Sequence, residues 1–153
     1  MDWFNYYGLI ILVILMIPNI VFSIIHPESF KNYYSNKIVI AFEQIGRFGS
    51  FTFMIFNIPY TYFNFWFNNA LIVYLIVNGL LLFIYLSGWI LCWNKRLILK
   101  GYILSIIPSI LFLFNGIMLL SIPLIILSII FAYCHITISV NNAILMNEER
   151  MKK

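Results

Sequence analysis

From Tyr102 to Val140 the chain carries no Lys, Arg, Asp or Glu. As one α-helix this stretch would run roughly 57 Å at 1.5 Å per residue. The hydrocarbon core of a bilayer is about 30 Å thick. The stretch is therefore too long for one crossing and suited to two. Two more runs, Trp3–Ile25 and Ala70–Trp93, are also free of charge. Such runs restrict the chain to a membrane-spanning fold, because water-facing helix surfaces need polar residues and lipid-facing ones do not.

Composition agrees. Of 153 residues, 63% are hydrophobic and 9% charged, against about 25% charged in ordinary soluble domains. The expected fold class is an all-α integral membrane protein, a bundle of five transmembrane helices with no soluble domain. The expected spans are residues 3–25, 38–58, 70–93, 102–120 and 122–142, forming one bundle over 1–146, with a charged cytoplasmic tail at 147–153. The fourth and fifth spans divide at Ser121–Pro123, since Pro is well placed to begin a helix. A turn at Asn115–Gly116 would leave the fourth too short. The first run follows Met1 and Asp2 without a basic region or a small-residue cleavage site, so it is expected to stay as a span.

The second span is the least regular. It reads as Ile38–Ile58, closed by Pro59, with Glu43 and Arg47 inside it. Tyr60–Asn69 is aromatic and uncharged and fits the headgroup zone, where Tyr and Trp rings sit. A second register starts this helix nearer Arg47 and carries it to Phe67, which would leave both charges among the headgroups.

Five crossings place Lys31, Lys37, Lys95, Arg96, Lys100, Arg150, Lys152 and Lys153 on one side. The positive-inside rule then expects the N-terminus outside and the C-terminus in the cytoplasm of a cell-membrane protein. The net charge of +4 follows from this asymmetry, and no nucleic-acid partner is expected.

The candidate functional residues are the polar groups within the spans. Glu43 and Arg47 stand at i and i+4, share a helix face and can pair. A lone charge at such depth costs at least about 2.5–3.5 kcal/mol, and intramembrane ionisable groups usually face the bundle interior or a cavity. On the fifth span His135, Ser139 and Asn142 share a face at i, i+4 and i+7. The depths suggest a cytoplasmic-side pocket of Glu43, Arg47, His135 and Ser139, with Asn141 and Asn142 at its mouth. Asn19 and Ser23 of the first span fall at similar depth. The plainer reading of His135 is a hydrogen bond that fixes helix packing. Gly46 and Ser50 form a small-xxx-small pair, with Gly49 beside them, and favour close helix approach over room for a ligand. Asn78 and Asn115 suit interhelical hydrogen bonding. The Phe and Tyr residues read mostly as lipid-facing or packing surface.

The function expected first is binding, or help in transport, of a small amphipathic or anionic ligand. Arg47 would be the anion partner, Glu43 its counter-ion and His135 a titratable wall. Affinity would then change between roughly pH 5 and 8. A membrane-embedded enzyme using Glu43 and His135 as acid and base is a second reading, without a nucleophile or phosphate-loop motif to support it. A structural subunit of a larger membrane complex, or a homo-oligomer, is a third. Membrane lipid is the expected partner. No cofactor or metal is expected, since Cys92 and Cys134 form neither a C-x-x-C pair nor a zinc spacing. Glu43-x-x-x-Arg47 matches half of the Glu-Glu-x-x-x-Arg motif of intramembrane CAAX-type proteases, but Phe42 stands at the first Glu position. The length and span count match the tryptophan-rich translocator proteins, but residues 26–37 contain no Trp. Lipoprotein signal peptidases need two aspartates, and the chain has Asp2 alone.

Overall fold

The computed structural model describes residues 3–27, 32–58, 67–93 and 98–151, and of the last segment the side chains of 101–148. Five helices follow one another: α1 Tyr6–Ile25, α2 Lys37–Ile55, α3 Ala70–Cys92, α4 Ile98–Met118 and α5 Ile122–Met151. All five are long and apolar enough to cross a membrane, and no strand occurs among the described residues. The aromatic segment Tyr60–Trp66 lies outside the described residues, as do Lys31, Lys95, Arg96, Lys152 and Lys153.

Side-chain caps set two of the helix starts. Asn5 Oδ1 accepts from Gly8 N at 3.1 Å. Asn36 Oδ1 accepts from Ile38 N and Val39 N. Each supplies an acceptor to backbone donors that have no partner within the helix. α2 ends at Ile55, short of the expected Ile58 and well short of Phe67. The extended residues after it pair with the N-terminal segment instead: Asn5 N donates to Ile55 O at 2.7 Å, and Asn57 N donates to Trp3 O at 2.8 Å. Trp3 stacks on Phe56 at 5.9 Å.

The turn between α4 and α5 falls at Leu120–Ser121. Leu120 N donates to Ile117 O, and Ser121 N donates to Gly116 O. This is the Schellman pattern, which closes a helix through one left-handed residue. Leu120 takes that role with φ 51°, a position usually given to Gly. α5 continues past Asn142 to Met151, so residues 147–151 extend the helix rather than begin a separate tail.

Contacts fix the helix directions. Gly46 meets Phe131 and Gly49 meets Leu127, so α2 and α5 run antiparallel. Gly101 meets Ser139 and Ala143, and Gly116 meets Ile125, so α4 and α5 do too. Asn5–Tyr74 and Asn19–Tyr85 make α1 and α3 parallel. The packing order closes a ring of α1, α3, α4, α5 and α2, with α2 also touching α4. α2 and α3 are therefore not neighbours in the ring. Its core holds Leu15, Met54, Tyr74, Tyr85, Leu111, Phe112 and Leu124.

At mid-bundle Asn78 and Asn115 exchange hydrogen bonds at 3.2 and 2.8 Å. Each also donates to the carbonyl four residues before it, Tyr74 O and Leu111 O. These two buried amides thus clamp α3 to α4, as their sequence positions suggested.

Candidate functional site

The site is built on the inward face of α2. Glu43, Gly46, Ser50 and Met54 form its buried stripe, spaced as one side of a helix requires. At Gly46 there is no room for another carbon: an added Cβ would stand 2.8 Å from Phe131 N and 2.9 Å from Phe131 Cα. Gly46 and Gly49, against Phe131 and Leu127, let α2 and α5 approach closely, which is the packing role read from the sequence. That approach carries His135, one turn beyond Phe131, up to Glu43.

Glu43 is the centre. It is 2% exposed. Its Oε1 accepts from Arg47 Nε at 3.0 Å, from Arg47 Nη2, and from His135 Nδ1 at 2.9 Å. Its Oε2 accepts from Gln44 Nε2 at 3.0 Å. With Glu43 ionised, the hydrogen shared with His135 sits on Nδ1. Hydrogen bonds to a charged group contribute about 1.5–3 kcal/mol each. Several together offset the cost of placing a carboxylate in apolar surroundings.

The partners are more open than the acid they hold. The Arg47 side chain is 32% exposed and that of His135 22%. Arg47 Nη1 has no acceptor among the described residues. The same holds for a partner to His135 Nε2. The His135 ring stacks on Phe131 at 4.5 Å with a 17° tilt, which fixes the plane of the imidazole.

The structure thus joins Glu43, Arg47 and His135. It does not join Ser139 or Asn142 to them. The Ser139 carbonyl is turned to Gly101 of α4. Asn142 holds the segment before α2: its Oδ1 accepts from Tyr33 N and Tyr34 N, both at 2.9 Å, and its Nδ2 donates to Asn32 Oδ1 at 3.1 Å. Sharing a face with His135 does not give a shared depth, because seven residues separate them by about 10 Å along the axis.

Gln44 joins the cluster although the sequence did not single it out, and Tyr85 and Trp89 of α3 form a separate polar group with Asn19 of α1. Gln44 is next to Glu43, and neighbours in a helix do not normally face each other; its long side chain folds back. Tyr85 and Trp89 lie on the buried stripe Tyr74, Asn78, Leu82, Tyr85, Trp89 of α3, whose three- and four-residue spacing was the available signal. Asn19 Nδ2 donates to the Tyr85 hydroxyl at 2.7 Å, and the Trp89 ring meets the Tyr85 ring edge-on at 6.4 Å. Asn19, Glu43 and Tyr85 all lie about 9–11 Å inside the helix ends at Ile25, Lys37 and Cys92. No group of three or more metal-ligating side chains occurs among the described residues. No protein family, curated protein or solved structure matches the chain.

Proposed function

We propose that the chain is an integral protein of the cell membrane, with its N-terminus outside and its C-terminus in the cytoplasm. In this reading it binds an anionic amphiphile at Arg47, or helps to move one. Five apolar helices and the one-sided distribution of Lys and Arg support the placement. One observation carries the binding role. Arg47 spends Nε and Nη2 on a counter-ion that is almost wholly buried, and keeps Nη1 unpartnered on a side chain that is one-third exposed. A guanidinium held from one side and open on the other can accept a carboxylate or phosphate. Glu43 then sets where the cation sits, and His135 holds Glu43 from α5.

A second reading, that the cluster only clamps α2 to α5, draws on the tight Gly46–Phe131 contact. Native mass spectrometry of the purified protein separates the two. Anion binding predicts a retained anionic amphiphile on the wild type and its loss from a folded Arg47→Leu variant. A wild type that retains only zwitterionic lipid, with no change on Arg47→Leu, would leave the clamp alone.

A further inference from the structure

Glu43 anchors a second outward-reaching side chain besides the arginine. Its Oε2 accepts from Gln44 Nε2 at 3.0 Å, while its Oε1 takes Arg47. A carboxylate only accepts, so the amide nitrogen of Gln44 faces it and the amide oxygen faces away. That oxygen has no donor among the described residues, just as Arg47 Nη1 has no acceptor. Gln44 and Arg47 stand at i and i+3, neighbours on a helix surface with about 5–6 Å between Cβ atoms. Both reach out of the bundle: Gln44 is exposed, and the Arg47 side chain is 32% exposed. An unmet acceptor and an unmet donor thus stand side by side, next to the exposed apolar residues Phe42, Ile45 and Phe48. In lipid such groups are costly unless a partner engages them.

We propose that Gln44 and Arg47 form a two-point site on the outward side of α2 for a phosphate head that also carries a hydroxyl. Arg47 Nη1 donates to a phosphate oxygen, and Gln44 Oε1 accepts the hydroxyl hydrogen of the same head. This rests on the Arg47 reading above and names the head it selects. A cation alone does not distinguish anions of equal charge. An acceptor beside it favours the anion that has a hydrogen to give. Glu43 does not serve as that acceptor, since both of its oxygens are engaged. In the proposed orientation α2 enters the bilayer at Lys37, and Gln44 and Arg47 lie about 10–15 Å along it. Phe48, 60% exposed, is one turn deeper than Gln44, on the side where the acyl chain of an inner-leaflet lipid follows its head.

The test is native mass spectrometry of the whole protein, released from phosphatidylcholine nanodiscs that hold equal amounts of phosphatidylglycerol and phosphatidylmethanol. The two carry the same charge, and only the first has head hydroxyls. The wild type should retain phosphatidylglycerol over phosphatidylmethanol about two- to tenfold, the usual effect of one neutral hydrogen bond. Gln44→Met, which keeps the length without the acceptor, should bring that ratio to about one while both anions stay enriched over phosphatidylcholine. Arg47→Leu should lose both. Added glycerol phosphate tells the source: displacement of the lipid identifies a free phosphate, and no displacement a leaflet lipid; with the wild-type ratio in place, either supports the site. Circular dichroism and thermal unfolding confirm that each variant is folded, and the wild-type ratio needs no variant. A wild-type ratio near one, or a ratio that survives in folded Gln44→Met, overturns the Gln44 site; enrichment of both anions then keeps the Arg47 reading. If neither anion is enriched over phosphatidylcholine, the Arg47 reading falls with it.

Discussion

Gly46→Ala adds one carbon where the structure leaves no space for it. The new Cβ would sit 2.8–3.0 Å from Phe131 N, Cα and Cβ. Ordinary contact begins near 3.4 Å, so α5 must retreat by about 0.5 Å or more, and backbone gives way less readily than a side chain. Overpacking of this kind costs about 1–3 kcal/mol. The retreat also stretches the 2.9 Å contact of His135 with Glu43, one turn away, and a charge-assisted hydrogen bond contributes about 1.5–3 kcal/mol. Against this stands the gain in helix propensity from Gly to Ala, about 0.8–1.0 kcal/mol. The net expectation is destabilisation of roughly 1.5–5 kcal/mol. Gly79 provides the control, since a Cβ there meets nothing within 4 Å. Gly79→Ala should be neutral or stabilising by up to about 1 kcal/mol. Reversible unfolding in mixed micelles measures both. Gly46→Ala as stable as Gly79→Ala would refute the reasoning.

Further outcomes follow from other contacts. Asn78→Leu should destabilise, because it leaves Asn115 unpaired. The double change to Leu at both positions should recover much of that loss, with a coupling of about 0.6–1.7 kcal/mol in a double-mutant cycle. Leu120→Gly relieves a left-handed residue and should stabilise the α4–α5 turn by about 1 kcal/mol, read from the same unfolding curves. Asn142→Ala should speed hydrogen exchange at the Tyr33 and Tyr34 amides, which lose their shared acceptor, while leaving binding at Arg47 unchanged.

The helices were legible because charge-free runs leave little choice. The long run after Lys100 had to fold back, and it does so one residue before the expected position. Pro123 marked the start of α5 at Ile122, whereas the left-handed Leu120 that closes α4 carries no Gly signal. The second helix was harder. Its close at Ile55 depends on pairing with Trp3–Asn5, a contact far away in sequence. In the site, Glu43 and Arg47 were legible from i, i+4 spacing, and His135 from its rarity within an apolar span. Ser139 and Asn142 were grouped with it by face alone, and the axial separation of Asn142 took it to another task. Tyr85 was obscured because a Tyr on an apolar stripe resembles packing until its partner, Asn19 of α1, is known.

All of this turns on a carboxylate inside the bundle shared between an arginine and a histidine from two helices. A solid-state NMR distance between the Glu43 side-chain carboxyl carbon and the His135 ring nitrogens, in lipid bilayers, measures that directly, with Glu43→Gln and His26→Asn samples to assign the signal. The 2.9 Å contact between Glu43 Oε1 and His135 Nδ1 places the carbon within about 4 Å of Nδ1. A separation beyond about 6 Å would contradict it.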